Sequence, residues 1–261
     1  MTTVNPYAAP KAAVADETVV RNADFVPGGQ SRPVGHGWMW ITDAWALFKR
    51  QPALWIGMVL LLFVIMIVAA FIPFIGGLAM SLFGPVFAAG VVIGCKALDT
   101  GGELELGHLF AGFREKTGTL VGVGALYLGA SLLVMLVVGV TMGVGMSAMM
   151  GRGDPQAVGA MGMTMVLAML VMFALLLPVV MAIWFAAPLV VFHDHGALDA
   201  MKASFAGCLK NILPFLWYGV IFMVLAVVAT IPIGLGWLVL GPVLAASIYT
   251  AYRDIYLMPR A

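Results

Sequence analysis

Four long stretches of the chain carry no Asp, Glu, Lys or Arg: 53–95, 118–151, 155–192 and 211–252. A helix needs about 20 apolar residues to cross the hydrocarbon core of a bilayer, so each stretch holds one or two crossings. The first divides at Pro73-Phe74-Ile75-Gly76-Gly77 into spans near 53–72 and 77–97, and the last divides at Pro232-Ile233-Gly234 into spans near 212–231 and 235–253. The middle stretches predict one span each, near 118–147 and 158–192, joined by the polar loop Gly151-Arg152-Gly153-Asp154-Pro155-Gln156. At 1.5 Å per residue these two measure about 45 and 50 Å against a hydrocarbon core of about 30 Å. Either they protrude outward as a hairpin or the second breaks at Pro178.

A shorter amphipathic segment precedes each pair of spans, with apolar residues at helical spacing: Trp38, Ile41, Trp45 and Phe48; then Leu106, Leu109, Phe110 and Phe113; then Leu198, Met201, Phe205 and Cys208. These predict helices lying in the inner interface. Each closes on a basic residue, Lys49 with Arg50, Arg114 or Lys210, where a cationic head can reach lipid phosphates.

The landmarks repeat. Gly84-Pro85-Val86 returns as Gly241-Pro242-Val243, with a weaker copy at Ala187-Pro188-Leu189, and each of these prolines follows another: Pro73, Pro232 and Pro178. The expected fold is therefore all-α: a polytopic membrane protein of six transmembrane helices, built as three repeats of an interfacial helix plus two spans, at about 37–98, 104–193 and 197–256. Two crossings per unit give all three units one orientation, unlike the inverted repeats of many transporters. Gly118, Gly122, Ala125 and Gly129 form a small-residue seam in the third span, expected to pack within the molecule.

Composition agrees: 63% hydrophobic and 10% charged residues, with a mean hydropathy of +1.07, lie far outside the soluble range. The apolar runs are continuous rather than alternating, which favours helices over a barrel. Residues 1–36 lack a signal-peptide pattern and are rich in Ala, Pro and charge, so they are expected to form a disordered cytoplasmic tail before a single membrane domain, 37–261. Within it Asn5-Pro6-Tyr7-Ala8-Ala9-Pro10 reads as solvated chain rather than a docking peptide. Of thirteen Lys and Arg, only Arg152 lies on one side, so the positive-inside rule predicts both termini in the cytoplasm of a bacterial inner membrane. A net charge of +1 suggests no nucleic-acid partner.

Leu47-Phe48-Lys49-Arg50, Leu109-Phe110-Ala111-Gly112-Phe113-Arg114, Trp184-Phe185-Ala186-Ala187-Pro188-Leu189-Val190 and Ile248-Tyr249-Thr250-Ala251-Tyr252-Arg253-Asp254 together resemble a family of uncharacterised multi-pass inner-membrane proteins of proteobacteria, over about 36–257. The same span is more distantly similar to the membrane-anchor domain of some glycerophosphodiester phosphodiesterases, without their catalytic portion. The resemblance implies fold and location and carries no functional residues with it.

Candidate chemistry is sparse. His193-Asp194-His195 with His108, Asp199 and Cys208 contains metal-ligand types, but His at i and i+2 on a helix face different ways. Nine of nineteen methionines lie between 142 and 172, among them Met146, Met149, Met150, Met161, Met163 and Met165. Thioethers suit Cu(I), yet no His or Cys accompanies them, so they are expected to be apolar filler. Cys95 and Cys208 form no CxxC pair and read as small apolar residues. No nucleophile elbow, HExxH or P-loop occurs. Ser131 and Ser147 lie in Gly, Ala and Met surroundings, while Asp99, Glu103, His108 and Asp254 suit span-end charges. No catalytic residue, cofactor or metal is expected. With every Asp, Glu, Lys and Arg at a span end, in a connection or in a tail, ion-coupled transport is not expected either. The expectation is a non-enzymatic component that contacts membrane lipids, or another membrane protein, through Lys49, Arg50, Arg114 and Lys210. The alternatives are a transporter or channel for a neutral or apolar solute, or a Met-rich copper-handling protein.

Overall fold

A computed structural model of the chain describes residues 25–150 and 157–258, and the side chains of all of these except 148–150 and 157–161. Among the described residues there are nine α-helices: α1 His36–Arg50, α2 Pro52–Ala70, α3 Ile75–Asp99, α4 Thr117–Met150, α5 Ala157–Trp184, α6 Ala186–His193, α7 Ala197–Lys210, α8 Ile212–Thr230 and α9 Trp237–Tyr256. A 3₁₀ helix, Leu106–Phe113, lies between α3 and α4. Phe25 and Leu257 form an isolated antiparallel bridge.

Among the described residues, five stretches are helices long and apolar enough to cross a membrane: Pro52–Ala70, Ile75–Asp99, Thr117–Ser147, Gly162–His193 and Ile212–Thr230. Only 11% of the most apolar window of α2 and 6% of that in Gly162–His193 are buried inside the protein, against 50% for α3. An apolar surface this extensive needs a nonaqueous neighbour, and α3 is the helix the others enclose. The predicted sixth crossing forms α9, which is not among these five. Its second half carries Ser247, Thr250, Arg253 and Asp254. That polarity is turned inward: the Tyr218 hydroxyl and Ser247 Oγ lie 2.8 Å apart, and Thr250 Oγ1 donates to the Trp40 carbonyl at 2.7 Å. A helix packed on α1 and α3 need not be apolar on every face.

The hairpins α2–α3 and α8–α9 turn alike. In each, the residue after the proline has a positive φ, 62° at Phe74 and 54° at Ile233. In each, a glycine then touches the backbone of the preceding helix: a Cβ on Gly76 would fall 1.7 Å from the Ala69 carbonyl oxygen, and one on Gly236 2.5 Å from Ala229 Cα. Both contacts bridge seven residues.

Several sequence expectations change here. Pro178 does not break its helix, since α5 runs through it to Trp184. The interruption falls at Phe185 and is made by a side chain from α7. The Phe185 amide, which would close a helical bond on the Met181 carbonyl, donates instead to Ser204 Oγ at 2.9 Å. Ser204 Oγ in turn donates to the Met181 carbonyl at 2.7 Å. A hydroxyl inserted in the ladder is a recognised origin of a helix break. Pro188, which has no amide hydrogen to lose, then sits in the first turn of α6. Unbroken over 34 residues, α4 measures about 51 Å.

The segment Leu106–Phe113 is 3₁₀ rather than α-helical. It lies so close to α3 that a Cβ on Gly112 would fall 2.2 Å from the Val86 carbonyl, while His108 Nδ1 accepts the Glu105 amide at 2.9 Å and fixes its start. The predicted seam on α4 is not its packing face. Gly118 and Gly129 meet nothing and Ala125 is exposed; of the four, Gly122 alone packs closely, a Cβ there falling 3.3 Å from Ala197 Cβ, whereas a Cβ on Gly124 would clash with the Leu82 carbonyl oxygen at 2.3 Å.

Candidate functional site

Residues 25–35, counted with the tail on sequence grounds, are folded onto one end of the helices. Val26 N donates to Tyr256 O at 2.8 Å and Gln30 N to Ile255 O at 2.9 Å. Buried Asn211 holds the segment from the other side, accepting the Arg32 amide at 2.8 Å and donating to Gln30 O at 2.9 Å. The Phe25 ring stacks on His193 with centroids 3.8 Å apart. Residues 1–24, including the Asn5–Pro10 motif, lie outside the described residues.

Charged side chains meet at this same end. The Asp254 carboxylate forms an ion pair with Arg32 at 3.1 Å and accepts from His36 at 2.8 Å and the Trp40 indole at 2.9 Å, while Arg32 Nε donates to the Asp254 backbone carbonyl at 2.9 Å. Arg253 bridges Asp99 at 2.6 Å and Asp43 at 2.9 Å, while Tyr249 donates to Asp99 at 3.0 Å. Lys116 pairs with Asp194 at 2.6 Å. Ion pairs through Arg253 thereby tie α1, α3 and α9 together, and a separate pair joins the start of α4 to the end of α6.

The four basic residues picked out by sequence have different fates. Lys210 Nζ donates to the carbonyls of Gly28 and Gly29, both at 3.0 Å, and so clamps the folded segment. The Arg50 guanidinium donates to the Leu98 carbonyl at the end of α3. Lys49 and Arg114 are exposed. The repeat prolines Pro85, Pro178 and Pro242 all lie inside continuous helices, and Pro73 and Pro232 lie in the hairpin turns. Gly84 faces open space and Gly241 makes only an ordinary 3.7 Å contact with Val59, so neither glycine is where a neighbouring helix presses in.

His193 is bonded through Nε2 to the Tyr252 hydroxyl, and Asp194 caps α6 in the left-handed region at φ 56°. Among the described residues no three His, Cys, Asp or Glu are grouped to hold a metal. Cys208 is buried, and burial pushes its thiol up to about 12. Met146, Met163 and Met165 are exposed on the α4–α5 hairpin. The side chains of Met149, Met150 and Met161, and the loop with Arg152, lie outside the described residues.

A feature that periodicity did not reveal is an apolar groove of about 460 Å³ between α1, α8 and α9. Its wall on α1 is Trp38, Ile41, Thr42 and Trp45, and it runs between Val228 of α8 and Val239 of α9 to Pro232 and Gly236 at their turn. The sequence stripe on α1 grouped Trp38 and Trp45 with Ile41 and Phe48 as the apolar face of an interfacial helix. In fact the helix buries Trp40, Ile41, Ala44, Leu47 and Phe48, leaving Trp38 and Trp45 50% and 43% exposed at the groove. Thr42 Oγ1 is bonded back to the Met39 carbonyl at 3.0 Å, so the threonine's hydroxyl is already satisfied within its own helix. Lys49 follows Trp38, Thr42 and Trp45 at spacings of eleven, seven and four, which place it on the same helix face one turn on.

A probable inner membrane protein of Burkholderia thailandensis is 28% identical to this chain over 232 residues, covering 85% of this chain and 83% of its own length. No solved structure matches. A family model described as a domain of unknown function, DUF7847, matches residues 39–255, and the chain belongs to that family.

Proposed function

We propose that this protein is a non-enzymatic, multi-pass component of the bacterial inner membrane that works through lipid or protein contacts on its cytoplasmic face. In this reading it has six spans in three like-oriented units, with both termini in the cytoplasm. The observation that carries it is the separation of charge from apolar surface. The ion pairs Asp43–Arg253–Asp99, Arg32–Asp254 and Lys116–Asp194 gather at one end, while long stretches of α2, α4, α5 and α8 expose apolar side chains and carry no charge. The positive-inside rule puts such an end in the cytoplasm. The sixth span is supported by the inward-turned polarity of α9, and the repeat by the matching turns at Phe74 and Ile233. The relative from Burkholderia thailandensis, named a probable inner membrane protein, supports the location.

The test is the triple change of Lys49, Arg114 and Lys210 to Gln in purified protein. The reading predicts less co-purifying anionic lipid or partner with all helices still inserted. Gradient-driven solute uptake by the wild-type protein in liposomes contradicts it.

A further inference from the structure

We propose that the groove between α1, α8 and α9 binds one acyl chain of an anionic glycerophospholipid, with the phosphate held at Lys49. The inference rests on the lipid-contact reading above and gives it a place and a ligand. At roughly 30 Å³ for a water-sized group, 460 Å³ holds about fifteen methylene-sized groups, which is one lipid tail and not two. A partner's transmembrane helix fits poorly: at about 10–12 Å across, it fills that volume in about one turn, whereas the groove is drawn out from α1 to the α8–α9 turn.

The lining supplies what a tail requires and nothing that a polar ligand needs. Ile41, Val228, Val239 and Val243 are aliphatic, and the Thr42 hydroxyl is already bonded to its own helix. Trp38 and Trp45 mark the end where the tail meets its headgroup, because indoles favour the depth at which hydrocarbon gives way to water. Lys49 stands one turn beyond Trp45 and exposed. No ion pair links it to a described carboxylate, and the nearest acid on its helix, Asp43, is held by Arg253 at 2.9 Å. An ammonium on a flexible stem at that depth complements a phosphate, and more strongly a headgroup of net negative charge.

The experiment uses full-length protein reconstituted with phosphatidylglycerol carrying a photoreactive group at the end of one tail, with crosslinks mapped by mass spectrometry. The expected result is crosslinking at Val228, Pro232 and Val239, away from the headgroup end, several-fold above that at exposed Leu132 and Met135 of α4. Unlabelled phosphatidylglycerol should compete several-fold better than phosphatidylcholine, and Lys49→Gln should abolish that preference. Val239→Trp and, independently, Val228→Trp should each cut groove crosslinking several-fold in monodisperse protein. Even crosslinking over all exposed apolar positions overturns the proposal, as does indifference to both groove-filling variants, or a groove shielded by a second polypeptide. Retained anionic lipid lost in the Lys49, Arg114 and Lys210 variant, alongside even crosslinking, sinks the groove alone. No retained anionic lipid in the wild type sinks the wider reading.

Discussion

The amide of Phe185 donates to the hydroxyl of Ser204, 2.9 Å away on a helix nineteen residues further along. That hydroxyl completes the path to the Met181 carbonyl, so one side chain both ends α5 and docks α7 against it. Ser204→Ala leaves a buried donor and a buried acceptor unmade, which costs about 1–3 kcal/mol. Thermal unfolding in mild detergent should show a clear loss for Ser204→Ala. A variant as stable as the wild type would mean that the break at Phe185 has another cause.

The two hairpin turns predict a matched pair of effects. Gly76→Ala and Gly236→Ala place a methyl against the backbone of Ala69 and Ala229, and such overpacking costs about 1–3 kcal/mol. Gly77→Ala, facing open space, serves as the control and should be tolerated. Unfolding midpoints of the three variants decide the matter, and equal midpoints would remove the equivalence of the turns.

The folded segment before α1 depends on Asp254. Asp254→Ala deprives His36 and the Trp40 indole of their acceptor and Arg32 of its counter-ion, leaving Arg32 its bond to the backbone carbonyl, a loss of about 1.5–3 kcal/mol for hydrogen bonds to a charged group. Limited proteolysis should cut within 25–35 faster in this variant than in the wild type. Equal rates would show that Asn211 and Lys210 hold the segment unaided.

Burial raises the Cys208 thiol from 9.0 to about 12, because the thiolate is the form that suffers from leaving water. The folded protein therefore keeps its proton where the unfolded chain has lost it. The stability this group contributes is complete below pH 9.0 and is lost as pH rises toward about 12. Maleimide should modify Cys208 slowly in folded protein at neutral pH and rapidly after denaturation. Fast labelling of the folded protein would place the thiol at the surface.

The membrane helices were legible because charge-free runs such as 53–95 and 211–252 have few other physical uses, and their bounds fall within a few residues of α2, α3, α8 and α9. What stayed hidden depends on partners far along the chain. The interruption at Phe185 is set by Ser204, whereas Pro178 offered a more obvious local breaker and α5 runs through it. Residues 25–35 have no periodicity, since their order comes from bonds to Asn211, Lys210, Ile255 and Tyr256. The groove draws its walls from α1, α8 and α9. Helical spacing grouped Trp38 and Trp45 with Ile41 and Phe48, but it does not say which edge of an apolar stripe faces the core and which faces outward.

The central claim is that the charged end gathered by Asp43, Asp99, Arg253 and Asp254 faces the cytoplasm, with the α4–α5 hairpin directed away from it. Reporters fused near Thr100, at Gly153 and after Ala261 test this most directly. The account predicts cytoplasmic behaviour at Thr100 and Ala261 and periplasmic behaviour at Gly153. A periplasmic signal at Thr100, or the same side for Thr100 and Gly153, would contradict it.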